Sequence, residues 1–134
     1  PPFSVTADWH ARKKIFVRDG FDAPDARKVV ELYDRYLKKM EDALTRSEWL
    51  AGDQFSFADI AMTPYVVRLD MMSMQPMWTG GRLPGVTDWL ERVKARPTFA
   101  PAFLDWMPDH LTADLKNNGA QSWPEVAEIL EIAA

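Results

Sequence analysis

The sequence contains no cysteine and only two histidines, His10 and His110, which lie far apart in the chain. The missing thiol excludes a disulfide framework, a cysteine nucleophile, a CxxC redox pair and any thiolate-bound metal. The histidines occur in no metal-binding spacing such as HExxH, so we interpret both as solvated surface or capping residues. Glycine-rich phosphate loops and a GxSxG motif are missing too, which leaves nucleotide binding and serine hydrolysis without support.

Long apolar runs and an excess of positive charge are also missing. No stretch approaches the roughly 18 apolar residues that a membrane span needs. The 134 residues carry 16 basic and 20 acidic side chains, for a net charge of −4, whereas a general nucleic-acid binder is normally basic. No secretory signal opens the chain. We therefore expect neither nucleic acid nor a membrane as its partner. Because the chain begins at Pro1 without an initiator methionine, we also expect a part of a longer protein.

Strand signals are absent, and the apolar residues recur at helical spacing instead. One helix is predicted over Ser4–Arg18, and a long apolar stripe from Val29 to Leu44 predicts a second. Further helical segments are predicted after Pro84 up to Pro97, over Thr98–Trp106, over Thr112–Asn118 with Gly119 as its end, and after a capping box at Ser122–Glu125. The pattern predicts an all-α chain in one domain.

The clearest helix start is at Ser56. Ser56 and Asp59 have the spacing of a capping box, in which each side chain bonds the other residue's backbone amide, and Phe55 and Ile60 have the spacing of a hydrophobic staple. The following helix, Ala58–Met72, is apolar nearly all round, as is typical of a buried central helix. Ser56 and Asp59 also resemble a hydroxyl–carboxylate catalytic pair, but the capping interpretation explains their neighbours as well and is preferred.

Two segments together resemble the C-terminal domain of the cytosolic glutathione transferases. The first is Leu50-Ala51-Gly52 followed by Phe55–Ala61 and Pro64, which is similar to the family's N-cap box and staple of its central helix. The second is Leu83–Val86 with Trp89, followed by Ala95-Arg96-Pro97. With the Val29–Leu44 helix before them, the resemblance covers about residues 24–103 in the family's order.

This resemblance implies an all-α bundle of five to six helices around a buried central helix, formed by residues 1–134. In the family such a bundle follows a thioredoxin-like domain that binds glutathione and carries the catalytic residue, and that domain is absent from this chain. The full-length protein is therefore expected to be cytoplasmic and to conjugate glutathione, as co-substrate, to a small hydrophobic electrophile. By itself the chain is expected to be inactive and to bind no cofactor, so no catalytic residue and no metal ligand is assigned.

What the resemblance assigns to this domain is the wall for the hydrophobic substrate. The candidates on the first helix are Trp9 and Phe16, with Arg12 and Lys13 beside them, and Trp106 near the C-terminal end is a weaker one. An apolar ligand needs aromatic walls with a few polar groups to orient it. The competing interpretation, weighed about equally, is that Trp9 and Phe16 pack on the Val29–Leu44 helix.

The remaining predictions concern partners. The resemblance implies docking against the protein's own thioredoxin-like domain and a homodimer, to which the first helix contributes. The same helical fold also occurs as a non-catalytic interaction or scaffold module, and this remains the alternative function. The methionine-rich stretch Met71–Met74, with Met77, is interpreted as core filler in preference to an adaptable pocket.

Overall fold

The computed structural model describes the backbone of residues 2–132 and the side chains of residues 8–132. Within these bounds the chain is helical and contains no strand. The five α-helices are α1 (Pro2–Asp19), α2 (Ala26–Leu44), α3 (Phe57–Met71), α4 (Pro84–Lys94) and α5 (Asp109–Leu130), and a π-turn covers Ala100–Leu104. The predicted all-α class is confirmed. Val5, whose spacing from Trp9 and Phe16 puts it on the apolar edge of the predicted first helix, lies outside the described side chains.

The core forms where α2, α3, α4 and α5 meet. Each helix contributes one apolar stripe, and burial of such stripes is the main favourable term in folding. Trp89 of α4 is at the centre and is fully buried. The other buried members of this core are Leu37, Met40, Val66, Val67, Leu69, Val86, Leu90, Val93 and Val126, with Trp49, Met74, Met77, Trp78, Leu83 and Phe99 from the connecting segments.

Burial of the central helix α3 is one-sided. Thr63, Val66 and Val67 are buried, but Phe57 is 87% exposed and Tyr65 is 55% exposed. The all-round apolar character of this helix predicts burial on every side, and among the described residues nothing covers the second side. An apolar face that stays open is typical of a surface that contacts a ligand or another protein surface.

The start of α3 is tied to α4 through a buried carboxylate. The predicted capping box at Ser56 and Asp59 is confirmed. Asp59 Oδ2 accepts the Ser56 N–H at 2.9 Å and the Ser56 hydroxyl at 3.0 Å, and Oδ1 accepts the Leu50 N–H at 3.0 Å and the Trp89 indole N–H at 2.8 Å. Asp59 therefore caps its own helix and also positions the central tryptophan of α4.

A second buried carboxylate connects α2 with the loop before α4. Asp34 pairs with Arg82 at 2.6 Å and with Lys38 at 2.8 Å. Burial alone would raise the pKa of Asp34, but the hydrogen bonds and charges of Lys38 and Arg82 outweigh it and hold the pKa below its usual value. The pKa of Asp59 is likewise lowered, because the hydrogen bonds from Leu50, Trp89 and Ser56 outweigh the effect of burial.

These two carboxylates predict that acid destabilises the fold. Both pKa values are lower in the folded chain than in the unfolded chain, where an aspartate titrates near about 3.9. Their stabilisation is therefore complete above about pH 5 and is lost as the pH falls through the folded pKa values. Urea unfolding at pH 7, 5, 4 and 3 should show that the free energy of unfolding falls below pH 5. The decrease should be smaller in the Asp59→Asn variant than in the unmodified chain. A free energy of unfolding that stays constant down to pH 3 would contradict the lowered pKa values of the two carboxylates.

The start of α4 depends on a side chain from another helix. Glu41 of α2 accepts the N–H groups of Gly85 at 3.0 Å and Val86 at 2.8 Å, so it satisfies donors that the N-cap residue Leu83 leaves free. A Cβ on Gly85 would lie 3.0 Å from the Glu41 carboxylate. Gly85 therefore permits the close approach of α2 and α4.

The prediction of two separate helices at the C-terminal end is wrong. Gly119 does not end a helix, and Ser122 does not begin one, because α5 runs without a break from Asp109 to Leu130. The Ser122 hydroxyl donates to the Asn118 carbonyl instead of capping. Pro124 is tolerated inside α5 because Ala120, whose carbonyl loses its usual N–H partner, is exposed to water.

Candidate functional site

Four of the five predicted substrate-binding residues share one face of α1. Trp9 is 59% exposed, and the Lys13 ammonium lies 5.3 Å from the centre of its ring. Arg12 and the half-buried Phe16 line a small hollow of about 50 Å³ against Ala23, Pro24 and Asp25. Phe16 therefore faces the segment Ala23–Asp25 that leads into α2, and α1 as a whole contacts mainly the turn Gly20–Asp22.

Trp106 is held apart from these residues. It is 78% exposed, and its indole N–H donates to the Pro101 carbonyl at 2.7 Å, so the π-turn Ala100–Leu104 fixes its orientation. Among the described residues, no hydrogen bond, ring pair or cation–π pair joins Trp106 to α1. The substrate-binding role of all five residues stays a prediction.

A larger apolar cavity lies between α2, α3 and α5. It has a volume of about 540 Å³, within the range typical of small-molecule sites. Its apolar lining includes Phe21, Val29, Tyr33, Tyr65, Leu69, Met72, Met74, Met77, Leu111 and Val126. Sequence reasoning missed this cavity because it assigned Val29 and Tyr33 to a core stripe and the methionines to core filler. Met74 and Met77 are indeed buried, but they also form its inner wall.

A second apolar cavity of about 420 Å³ continues along α2 and α3. Tyr33, Tyr65 and Leu69 line both cavities, so the two form one groove with a common wall. We call this surface the α2–α3 groove. The outer part of the groove is walled by Leu32, Tyr36 and Met62.

Polar groups occur at one end of the α2–α3 groove. Arg68, Asp114 and Asn118 line its larger cavity, and Arg68 forms no ion pair within residues 8–132. An apolar groove with a few polar groups at its rim is suited to bind an apolar molecule and to orient its polar end. The only signal in the sequence was the pattern of α3, whose apolar residues continue round the face that lines the groove.

Metal binding has no support in this geometry. Across residues 8–132, no three histidine or carboxylate side chains converge as a metal would require. His10 and His110 are both exposed, as predicted. None of the helices in residues 2–132 combines the length and apolar character needed to cross a bilayer.

Comparison with known proteins identifies the family. The family described as glutathione S-transferase, C-terminal domain, matches residues 6–97, so the chain belongs to it. The resemblance of the sequence to that domain and the predicted fold class are thereby confirmed. No solved structure matches the chain.

Two curated relatives are similar to this chain. The disulfide-bond oxidoreductase YfcG of Escherichia coli is 35% identical over 78 residues, which is 54% of this chain and 30% of that protein. The glutathione S-transferase-like protein tpcF of Aspergillus fumigatus is 30% identical over 97 residues, which is 60% of this chain and 43% of that protein. The chain therefore spans less than half the length of either relative.

Proposed function

We propose that this domain supplies the hydrophobic-substrate wall of a glutathione transferase, and that the α2–α3 groove forms part of that wall. In this proposal a thioredoxin-like domain of the full-length protein binds glutathione as co-substrate and activates its thiol. The full-length enzyme transfers the glutathione sulfur to a small apolar electrophile. It acts in the cytoplasm as a homodimer, and this chain alone is inactive.

The single observation that carries the proposal is the open apolar groove on a domain of this family. Its two cavities, of about 540 and 420 Å³, are large enough for a small electrophile. Tyr65 stands between them and keeps 55% of its surface exposed, so it is accessible to a ligand. The residues Trp9, Arg12, Lys13 and Phe16 of α1, with Trp106, would extend the wall towards the glutathione-binding domain.

A charge placed on the shared wall tests this proposal in the full-length protein. Tyr65→Glu should raise KM for an apolar electrophile such as a chlorodinitrobenzene about tenfold or more, because apolar contact of about 1.5–3 kcal/mol is lost. KM for glutathione should stay unchanged, since glutathione is bound elsewhere. Steady-state rates with each substrate varied in turn separate the two constants. Trp9→Ala should produce a smaller rise of the same kind.

The matched control is Phe57→Glu, which replaces another exposed aromatic residue of α3 with the same side chain. Phe57 does not line the groove and is 87% exposed, so both KM values should match those of the unmodified enzyme. Equal effects of Tyr65→Glu and Phe57→Glu would refute the role of the groove. Thermal unfolding of both variants checks that the fold is retained.

The names of the two relatives suggest different reactions, so the same protein should be tested for both. One arm measures conjugation of glutathione to the electrophile, and the other measures reduction of a small disulfide by glutathione. We expect conjugation to be the faster reaction, because the groove offers a site for an apolar electrophile. Faster disulfide reduction would contradict the transferase proposal.

The alternative function is a non-catalytic interaction module of the same fold. Exposed apolar side chains away from the groove favour it, notably Phe57 at the start of α3 and Leu104 with Trp106 after α4. This alternative predicts no turnover in either assay arm for the full-length protein.

A further inference from the structure

Two arginines at the end of α4 stack on an aromatic cluster. The guanidinium of Arg96 lies 3.7 Å from the ring centre of Phe55 and 5.9 Å from that of Trp49. The guanidinium of Arg92 lies 5.2 Å from the Trp49 ring, and the rings of Trp49 and Phe55 meet edge to face at 5.1 Å. Both positive charges are therefore held against apolar surface.

Neither arginine has an anionic partner within residues 8–132. Among residues 8–132, the Nε atoms of Arg92 and Arg96 are buried and make no hydrogen bond, and the only side-chain hydrogen bond of either residue is the one that Arg92 donates to the Glu48 carbonyl. The neighbouring acidic groups Asp70 and Glu91 pair with Lys94 instead. Two adjacent, partly desolvated cations without a counter-charge form a site that favours an anion.

An apolar cavity opens beside Arg96. It has a volume of about 350 Å³ and is separate in its lining from the α2–α3 groove. Phe99 and Phe103, whose rings stack at 5.3 Å, form one wall with Ile60, while Arg96 and Thr98 are polar groups on its lining. A ligand with a flat apolar body and one negative group could contact both the aromatic wall of this cavity and the guanidinium of Arg96.

We propose that this cavity binds a small aromatic carboxylate, with its ring against Phe99 and Phe103 and its carboxylate on Arg96. The flat guanidinium matches a carboxylate in shape as well as charge, and Arg92 adds a second positive charge nearby. The site is independent of the groove proposed for the electrophile. Occupancy would also hold the π-turn Ala100–Leu104 against α3 and α4.

Calorimetric titration of the protein with 2-naphthoate tests the proposal, with uncharged 2-naphthalenemethanol as the comparison ligand. Naphthoate should bind about tenfold more tightly, as expected for one charge-assisted hydrogen-bonded pair. Arg96→Gln should abolish this preference and leave the weaker binding of the alcohol in place. Ala102→Phe, which fills the cavity without altering charge, should weaken both ligands.

Two further variants fix the location of the bound carboxylate. Arg35→Gln, at an exposed position on α2, removes the same charge elsewhere and should leave the preference unchanged. Arg68→Gln removes the unpaired arginine of the α2–α3 groove and should also leave it unchanged. The proposal is overturned if both ligands bind equally, if Arg96→Gln retains the preference, or if Arg68→Gln abolishes it.

Discussion

Replacing Gly119 with alanine is expected to lower the free energy of unfolding by about 3 kcal/mol, because the new methyl group overpacks a backbone contact. A Cβ at this position would lie 1.8 Å from the carbonyl oxygen of Met72 and 2.4 Å from its carbonyl carbon. The obstacle is backbone, so no side-chain rotation relieves it. The end of α3 and the middle of α5 must then move apart, which also distorts the cavity that Gly119 and Met72 both line.

Whether Gly119→Ala lowers or raises the free energy of unfolding distinguishes close packing from helix propensity. Gly119 lies inside an α-helix, where intrinsic propensity alone would make alanine more stable than glycine by about 1 kcal/mol. Asn117→Ala, at an exposed position two residues away, is the control and should change stability by less than about 0.5 kcal/mol. Urea unfolding measures all three proteins. A stabilised Gly119→Ala variant would mean that α5 does not approach Met72.

Asp59→Ala is expected to cost about 3–5 kcal/mol, since one buried and two half-buried donors lose their acceptor at once. The Leu50 N–H, the Ser56 N–H and the Trp89 indole N–H all bond to this carboxylate. Each buried donor left without a partner costs about 1–3 kcal/mol, and loss of the helix cap adds to the total. Urea denaturation followed by far-ultraviolet circular dichroism measures the free energy of unfolding.

Two single variants divide this effect between local and long-range parts. Ser56→Ala removes capping alone and should cost about 1 kcal/mol. Trp89→Phe removes the indole donor and creates a cavity. In a double-mutant cycle, Trp89→Phe and Asp59→Ala should show a coupling free energy of about 1 kcal/mol or more. Additive costs would show that Asp59 acts only as a local cap and does not position Trp89.

The helices that sequence reasoning predicted correctly are those defined by short-range signals. The Ser56–Asp59 box lies within four residues, and the apolar stripe of α2 repeats within each turn, so both are legible without tertiary structure. The prediction failed at Gly119 because helix-ending glycine and close-packing glycine look identical in a sequence. Which of the two applies depends on Met72, which lies 47 positions earlier in the chain.

The candidate sites likewise divide into features that the sequence predicted and features that depend on distant residues. The resemblance placed the substrate wall mainly on α1, which carries the aromatic residues Trp9 and Phe16 and basic residues beside them. The α2–α3 groove was hidden because residues such as Tyr33 and Tyr65 belong to stripes that are typical of a core. Whether such residues end up covered depends on whether another element packs against them. The half-buried Arg96, whose Nε atom is buried and unpaired, was likewise hidden, because Ala95-Arg96-Pro97 indicates only a helix end in the sequence.

The sequence by itself determined the all-α class, the main helix starts, the family resemblance and the lack of a cysteine side chain in these residues, because these depend on residue types and on contacts within about one turn. The tertiary structure alone decided that α5 is continuous, that Glu41 caps α4, and that apolar faces of α2 and α3 remain open as a groove. These features join residues tens of positions apart. Their energies come from packing and desolvation, which exist only once the helices have met.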